Sequence, residues 1–179
     1  EIMPSLVGSE MCIRDSNDLM HTLLLMRHAQ AAPMAATDHD RPLTAYGRRQ
    51  AHEMGLQLAG RRIDLAMVSS ARRTQQTFEE LAVDCRVETM RVLYGCTVPT
   101  MRQRISESLD EEVSTLLVVA HSPAIPQLAA QLSADPTDSR GQSMLCHYPL
   151  ATLTEIAVDG SWREITDEFA TSTSLRGVW

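Results

Sequence analysis

Residues 23–30 read LLLMRHAQ. Four apolar residues stop abruptly at Arg27 and His28, a permanent cation beside a ring that titrates near neutrality. A short apolar run without polar alternation marks a strand buried on both faces, inside a sheet that helices cover on either side. Two later runs repeat the plan, DLAMV at 64–68 and TLLVVA at 115–120. Helical patterns fill the intervals. Thr44 suits an N-cap, Ala51, Met54 and Leu58 fall at i, i+3 and i+7, and Gly60 suits the C-terminal cap. The segment SSARRTQQTFEELA (69–82) opens on serines suited to capping, and Met101, Ile105 and Leu109 share one helical face. Ser122 followed by Pro123 reads as an N-cap and first helical position. Strand and helix alternate, which implies a three-layer α/β/α sandwich around a mostly parallel sheet. ATLTEIAV, then Asp159-Gly160, then SWREI reads as an antiparallel hairpin added near the C-terminus.

The chain of 179 residues suffices for one domain with its own core, and neither repeat nor linker interrupts it. Its apolar runs are far shorter than the roughly 18 residues of a membrane span. A net charge of −7 without a long basic run weighs against nucleic acid as a partner. All 16 cationic residues are Arg. That excludes a Walker-type phosphate loop and a Schiff-base lysine, and leaves guanidinium, imidazole and backbone amides to hold an anion. Cys12, Cys85, Cys96 and Cys146 form neither a C-x-x-C nor a zinc-like spacing with the six histidines. The expectation is a reduced, cytoplasmic, monomeric protein with no metal and no cofactor.

The stretch LVGSEMCIRDS (6–16) resembles one translated frame of the transposase adapter used in sequencing libraries. It has neither the basic start nor the long apolar core of a signal peptide. Residues 1–19 are therefore expected to be a disordered, non-native scar, with the natural start near Met20 and a single domain over 20–179. Without residues 1–16, which carry Glu1, Glu10, Asp15 and Arg14, the net charge becomes −5.

Ligands of open parallel sheets bind beyond the carboxyl ends of the strands. The first run ends in Arg27-His28, the second runs into Arg72 and Arg73, and the third ends in His121. Three strands thus deliver two histidines and at least two arginines to one edge, beside helix N-termini that favour anions. Such a set suits phosphoryl transfer: a neutral imidazole attacks phosphorus, guanidiniums hold the equatorial oxygens, and a second, protonated histidine adds a donor. His39, His52 and His147 read as surface or packing residues, and His21 follows the presumed start. The paired aspartates of DHD (38–40) follow a polar loop rather than a buried strand, which weakens an aspartate-based phosphatase reading. Cys85 to Arg91 and Cys96 to Arg102 both fit C-x5-R, the spacing of cysteine phosphatases, but Glu88 and Pro99 interrupt the needed cradle of amides. A non-catalytic phosphate-binding module is the alternative from another class.

MRHA (26–29), DRPLTAYG (40–47), VSSARRTQQT (68–77) and VVAHSP (118–123) resemble the motifs of the histidine phosphatase superfamily, which includes the phosphoglycerate mutases. Order and spacing are most similar to its short SixA-type branch, the phosphohistidine phosphatases. Ala29 replaces the family's usual glycine. The resemblance implies that His28 is the transiently phosphorylated nucleophile and that Arg27, Arg73 and His121 form the phosphate pocket. Arg41 and Ser122 would support it. Arg73 rather than Arg72 matches the family arginine, because it stands three residues before Gln76-Thr77. MRVLYG (90–95) holds no carboxylate where larger relatives place their acid, which leaves Asp38 and Asp40 as possible acids. The expected substrate is a phosphohistidine protein or a small phosphorylated metabolite.

Overall fold

The computed structural model describes residues 20–108, 112–133, 139–166 and 172–179. The expected N-terminal scar (1–19) and Leu109 lie outside the described residues. Six strands form one sheet: β1 (Met20–Arg27), β2 (Leu65–Ser69), β3 (Arg86–Met90), β4 (Thr115–Ala120), β5 (Leu153–Asp159) and β6 (Ser172–Val178). Their order is β3-β2-β4-β1-β5-β6. The first four run parallel, while β5 is antiparallel to β1 and β6 to β5.

The apolar runs are explained by two cores, one on each face. Leu23, Leu25, Leu65, Met67, Leu116 and Val118 face one core, and Leu24, Met26, Ala66, Val68, Leu117 and Val119 face the other. Each of these side chains buried from water contributes roughly 1.5–3 kcal/mol if large. The first core is closed by α3 (Val98–Ser108), α4 (Ala124–Leu132) and α5 (Ser139–Cys146), and the second by α1 (Ala45–Leu58) and α2 (Arg72–Leu81). The three-layer sandwich is therefore present. Thr44 caps α1 by accepting from the Gly47 N–H at 2.9 Å, and Gly60 follows the helix end with a φ of +79°.

Three local expectations are corrected. SWREI is not the hairpin's second strand. Trp162 is fully buried, its indole N–H donates to the Val113 carbonyl at 2.7 Å, and this anchoring makes 162–166 a 3-10 turn. The strand that pairs with β5 is Ser172–Val178. The serines before α2 do not cap it: Ala71 holds the cap position, and both hydroxyls are committed to histidines. Ser122 does not cap α4 either. The His121 carbonyl already accepts from the Ile125 N–H at 3.0 Å, Pro123 takes the cap position, and Ser122 is exposed.

Candidate active site

β2, β4 and β1 are neighbours, so their carboxyl ends open on one edge. Arg27 pairs with Ala120, which places His28 and His121 just beyond the ends of adjacent strands. The two imidazoles lie 5.2 Å apart, edge to face. The Nδ1 of His28 is 2.8 Å from the Ala29 carbonyl. A carbonyl only accepts, so Nδ1 carries the proton and Nε2 keeps its lone pair on the far side of the ring. Burial first, and then the charges of Arg73, Arg27 and Arg41, push His28 down to about 4, against the Ala29 bond, which raises it. At neutral pH this ring is uncharged, with the Nε2 lone pair free of a proton.

His121 is not the protonated donor expected from the sequence. Burial, then His28 and then Arg73 lower it to about 3, outweighing Asp38. The free site holds it neutral, with Nε2 at 2.8 Å from the Ser69 hydroxyl.

The guanidiniums divide their donors. Arg27 gives one Nη to the Tyr148 carbonyl at 2.6 Å. Arg73, 7% exposed, gives its two Nη groups to Asp38, at 2.7 Å to the carbonyl and 3.1 Å to Oδ2. The Nε groups of both arginines are buried and face no acceptor among the described residues. Arg41 binds the Ala32 carbonyl at 2.6 Å and Asp38 Oδ1 at 2.8 Å. Asp38 also accepts from the Tyr94 hydroxyl at 2.6 Å. Tyr94, Arg41 and Arg73 together hold its carboxyl well below the ordinary range.

Of the residues singled out from the sequence, His28, His121, Arg27, Arg73, Arg41 and Asp38 thus gather in one network. Asp40 turns aside to the Thr37 hydroxyl at 2.6 Å, Ser122 stays on the exposed turn into α4, and Arg72 is exposed. Tyr94 was not legible. It reaches over from the segment after β3 and sets its ring against His121 at 5.5 Å, His39 at 5.1 Å and the Arg73 guanidinium at 5.8 Å. His39 joins through the Ser70 hydroxyl at 2.9 Å, so this partly exposed ring is a surface residue that also borders the site. Cys85 and Cys96 are held as thiols by burial, and Cys85 leads directly into the extended β3, which offers no cradle.

A model of the histidine phosphatase superfamily (branch 1) matches residues 23–95. Phosphohistidine phosphatase SixA of Escherichia coli (strain K12) is 32% identical over 123 residues, which cover 64% of this chain and 76% of that protein. The structure solved under the name phosphohistidine phosphatase SixA from Nakamurella multipartitia superposes with a TM-score of 0.81 at 32% identity. It covers 89% of this chain and 95% of the other.

The chain belongs to the histidine phosphatase superfamily.

Within it the similarity is to the SixA-type branch, and the protein is a phosphatase. An alpha-ribazole-5'-P phosphatase from Escherichia coli shares the fold alone, with a TM-score of 0.63 at 18% identity over 87% of this chain and 94% of the other. The arrangement sets an uncharged imidazole, with its proton on Nδ1, beside the guanidiniums of Arg27 and Arg73, groups able to engage phosphoryl oxygens through charge-assisted bonds of about 1.5–3 kcal/mol each.

Proposed function

We propose that this histidine phosphatase hydrolyses protein-borne phosphohistidine, with His28 as the nucleophile and Arg27, Arg73 and His121 as the phosphate pocket. Nε2 of His28 attacks phosphorus while the bond from phosphorus to the substrate ring nitrogen breaks. The substrate ring, protonated on its other nitrogen, takes the electron pair and departs neutral. Phospho-His28 then carries a positive ring, because Nδ1 keeps its proton on the Ala29 carbonyl. Water attacks the phosphorus, His28 leaves as a neutral imidazole, and dihydrogen phosphate carries away both water protons.

The observation that carries the substrate reading is the state of Asp38. An alkyl phosphate expels an alkoxide that needs an acid, whereas phosphohistidine brings its own proton on the ring. Asp38, the carboxyl in the network, is held ionised by Tyr94, Arg41 and Arg73 and has no proton to give. Asp38 is also exposed, so the site suits a phosphoryl group presented on a protein surface. The described cysteines are free, which fits a reducing compartment such as the cytoplasm.

The test compares kcat/KM for a phosphohistidine protein and phosphoramidate with that for glycerol and sugar phosphates, with rapid quenching to trap the adduct. The expected result is a clear preference for the P–N substrates and an acid-labile, base-stable phosphate on His28. Equal turnover of a sugar phosphate returns the protein to the small-molecule phosphomonoesterases.

A further inference from the structure

The hydrogen bond that fixes the His28 tautomer does not end at Ala29. The Ala29 carbonyl belongs to the same planar peptide unit as the Gln30 N–H, and that N–H donates to Oε1 of Gln50 at 3.1 Å. The chain of bonds runs one way, from His28 Nδ1–H to the carbonyl at 2.8 Å and from the amide to the Gln50 side chain. An acceptor on the N–H end of a peptide raises the negative charge at its oxygen, so the two bonds reinforce each other.

Gln50 is well placed to hold this unit. It lies on α1, which is locked onto the loop after β1. Thr44 donates its N–H to the Gln30 carbonyl at 2.9 Å and its hydroxyl to Gln30 Oε1 at 2.7 Å. One turn before Gln50 on the same helix face, Gly47 touches the Gln30 backbone so closely that a Cβ would collide with the Gln30 carbonyl. The adjoining peptide, between His28 and Ala29, is held separately by the Thr77 hydroxyl at 3.0 Å and does not reach Nδ1.

We infer that Gln50 is a positioning residue for the nucleophile. Through the Gln30–Ala29 peptide it keeps the His28 proton on Nδ1 and steadies the positive charge that the ring acquires when Nε2 is phosphorylated. The inference rests on the role of His28 proposed above. Because the bond strengthens only as that charge appears, Gln50 acts on the chemical step rather than on substrate binding.

The test uses the full chain, uniformly labelled with nitrogen-15, as the parent protein and as Gln50→Met and Gln50→Glu. Imidazole nitrogen NMR reads the His28 tautomer, and phosphoramidate hydrolysis reads kcat and KM. Methionine keeps the side-chain length and helix propensity but removes the acceptor. In Gln50→Met the Ala29 carbonyl loses the anchor on its peptide and drifts from Nδ1, so the Nδ1–H form is expected to give way to a mixture, with kcat falling on the order of 10-fold, the lower end of the scale for groups bonded directly to a working histidine's second nitrogen. KM stays within about 2-fold, as expected when only transition-state stabilisation is lost. Glutamate restores the acceptor and adds charge, so Gln50→Glu recovers the tautomer and most of kcat, and raises the pH of the acidic limb. An unchanged tautomer in Gln50→Met overturns the inference, as does a Gln50→Glu enzyme as slow as the methionine variant. A shifted tautomer with unchanged kcat overturns it differently, by showing that His28 is not the nucleophile. If Gln50→Met does not fold, the acidic limb of Gln50→Glu decides alone: a rise supports the inference and no movement refutes it.

Discussion

Asp38→Asn separates two roles that the sequence leaves open for Asp38, proton donor and tether. An ordinary carboxyl near 3.9 is protonated in only about one molecule in 1,000 at pH 7. Asp38 lies lower still, because Tyr94, Arg41 and Arg73 stabilise the anion. Its loss as an acid therefore changes nothing. Its loss as a tether does. The pairs with Arg41 at 2.8 Å and Arg73 at 3.1 Å involve a carboxylate whose side chain is 53% exposed, so solvent screening limits each to about 0.2–1 kcal/mol. Together they amount to about 0.4–2 kcal/mol, or roughly a 2- to 30-fold fall in rate at 1.4 kcal/mol per decade. The amide oxygen of Asn still accepts from Tyr94, so the loop keeps that anchor. The expected outcome is an equal fractional loss for phosphoramidate and for glycerol phosphate, borne by kcat, because the guanidiniums, then held only by the Asp38 and Ala32 carbonyls, still attract phosphate but in less defined positions. Steady-state kinetics on both substrates decide it. An alkyl phosphate reaction that falls about 10-fold further than the P–N reaction would show that Asp38 donates a proton, since a lost general acid costs at least that much.

Arg73→Ala should reduce kcat/KM by about 10²–10³-fold, the scale for losing one preorganised donor, whereas the exposed Arg72→Ala should stay within a few-fold; the reverse order shows the arginine register to be off by one. His28 and His121 have folded values of about 4 and about 3, below the ordinary 6.5. Depressed values mean that the unfolded chain binds more protons, so the stability they contribute is complete above pH 6.5 and is lost as pH falls through about 4 and then about 3. For His28 alone that is about 3 kcal/mol. Urea midpoints measured from pH 7 to 5 should fall in the parent and stay flatter in a His28→Asn, His121→Asn double variant. The same values place the acidic limb of kcat/KM near pH 4, and a limb near 6.5 would mean that neither depressed ring governs the rate. A chain beginning at Met20 should keep full activity and its melting temperature; a drop of more than about 4–8 °C, the scale of one lost kilocalorie in a small domain, would show that residues 1–19 pack.

What was legible followed from burial on two faces. LLLM, LAMV and LLVVA have only one place in an α/β protein, and the polar residues that end them mark the ligand edge. The edge strand β3 was not legible. It pairs on one side only and carries Arg86, Val87 and Glu88, so RVETM shows neither alternation nor an apolar run. The serines at 69 and 70 misled for a related reason: a hydroxyl before a helix has a local use as a cap, and nothing local says that a histidine 52 residues away claims Ser69. Tyr94 carries no motif at all. Its role depends on where the segment after β3 crosses the sheet edge, a tertiary fact. Trp162 shows the same rule at the C-terminus, where one buried indole outweighed a strand-like neighbourhood.

The Arg27–Tyr148 contact joins residues 121 positions apart. His28 leans on the same late segment, since its carbonyl accepts from the Ala151 N–H at 3.2 Å, while the Arg27 N–H reaches the Thr152 carbonyl at 3.0 Å. A growing chain exposes His28, Arg73 and His121 long before Tyr148 to Thr152 leave the ribosome, at about 5–20 residues per second. Until then the back of the pocket is missing, and the guanidinium of Arg27 has nothing to orient it. Phosphatase activity should therefore switch on late and all at once during synthesis. A nascent chain stalled before Tyr148 would carry the whole set of motifs and turn over nothing.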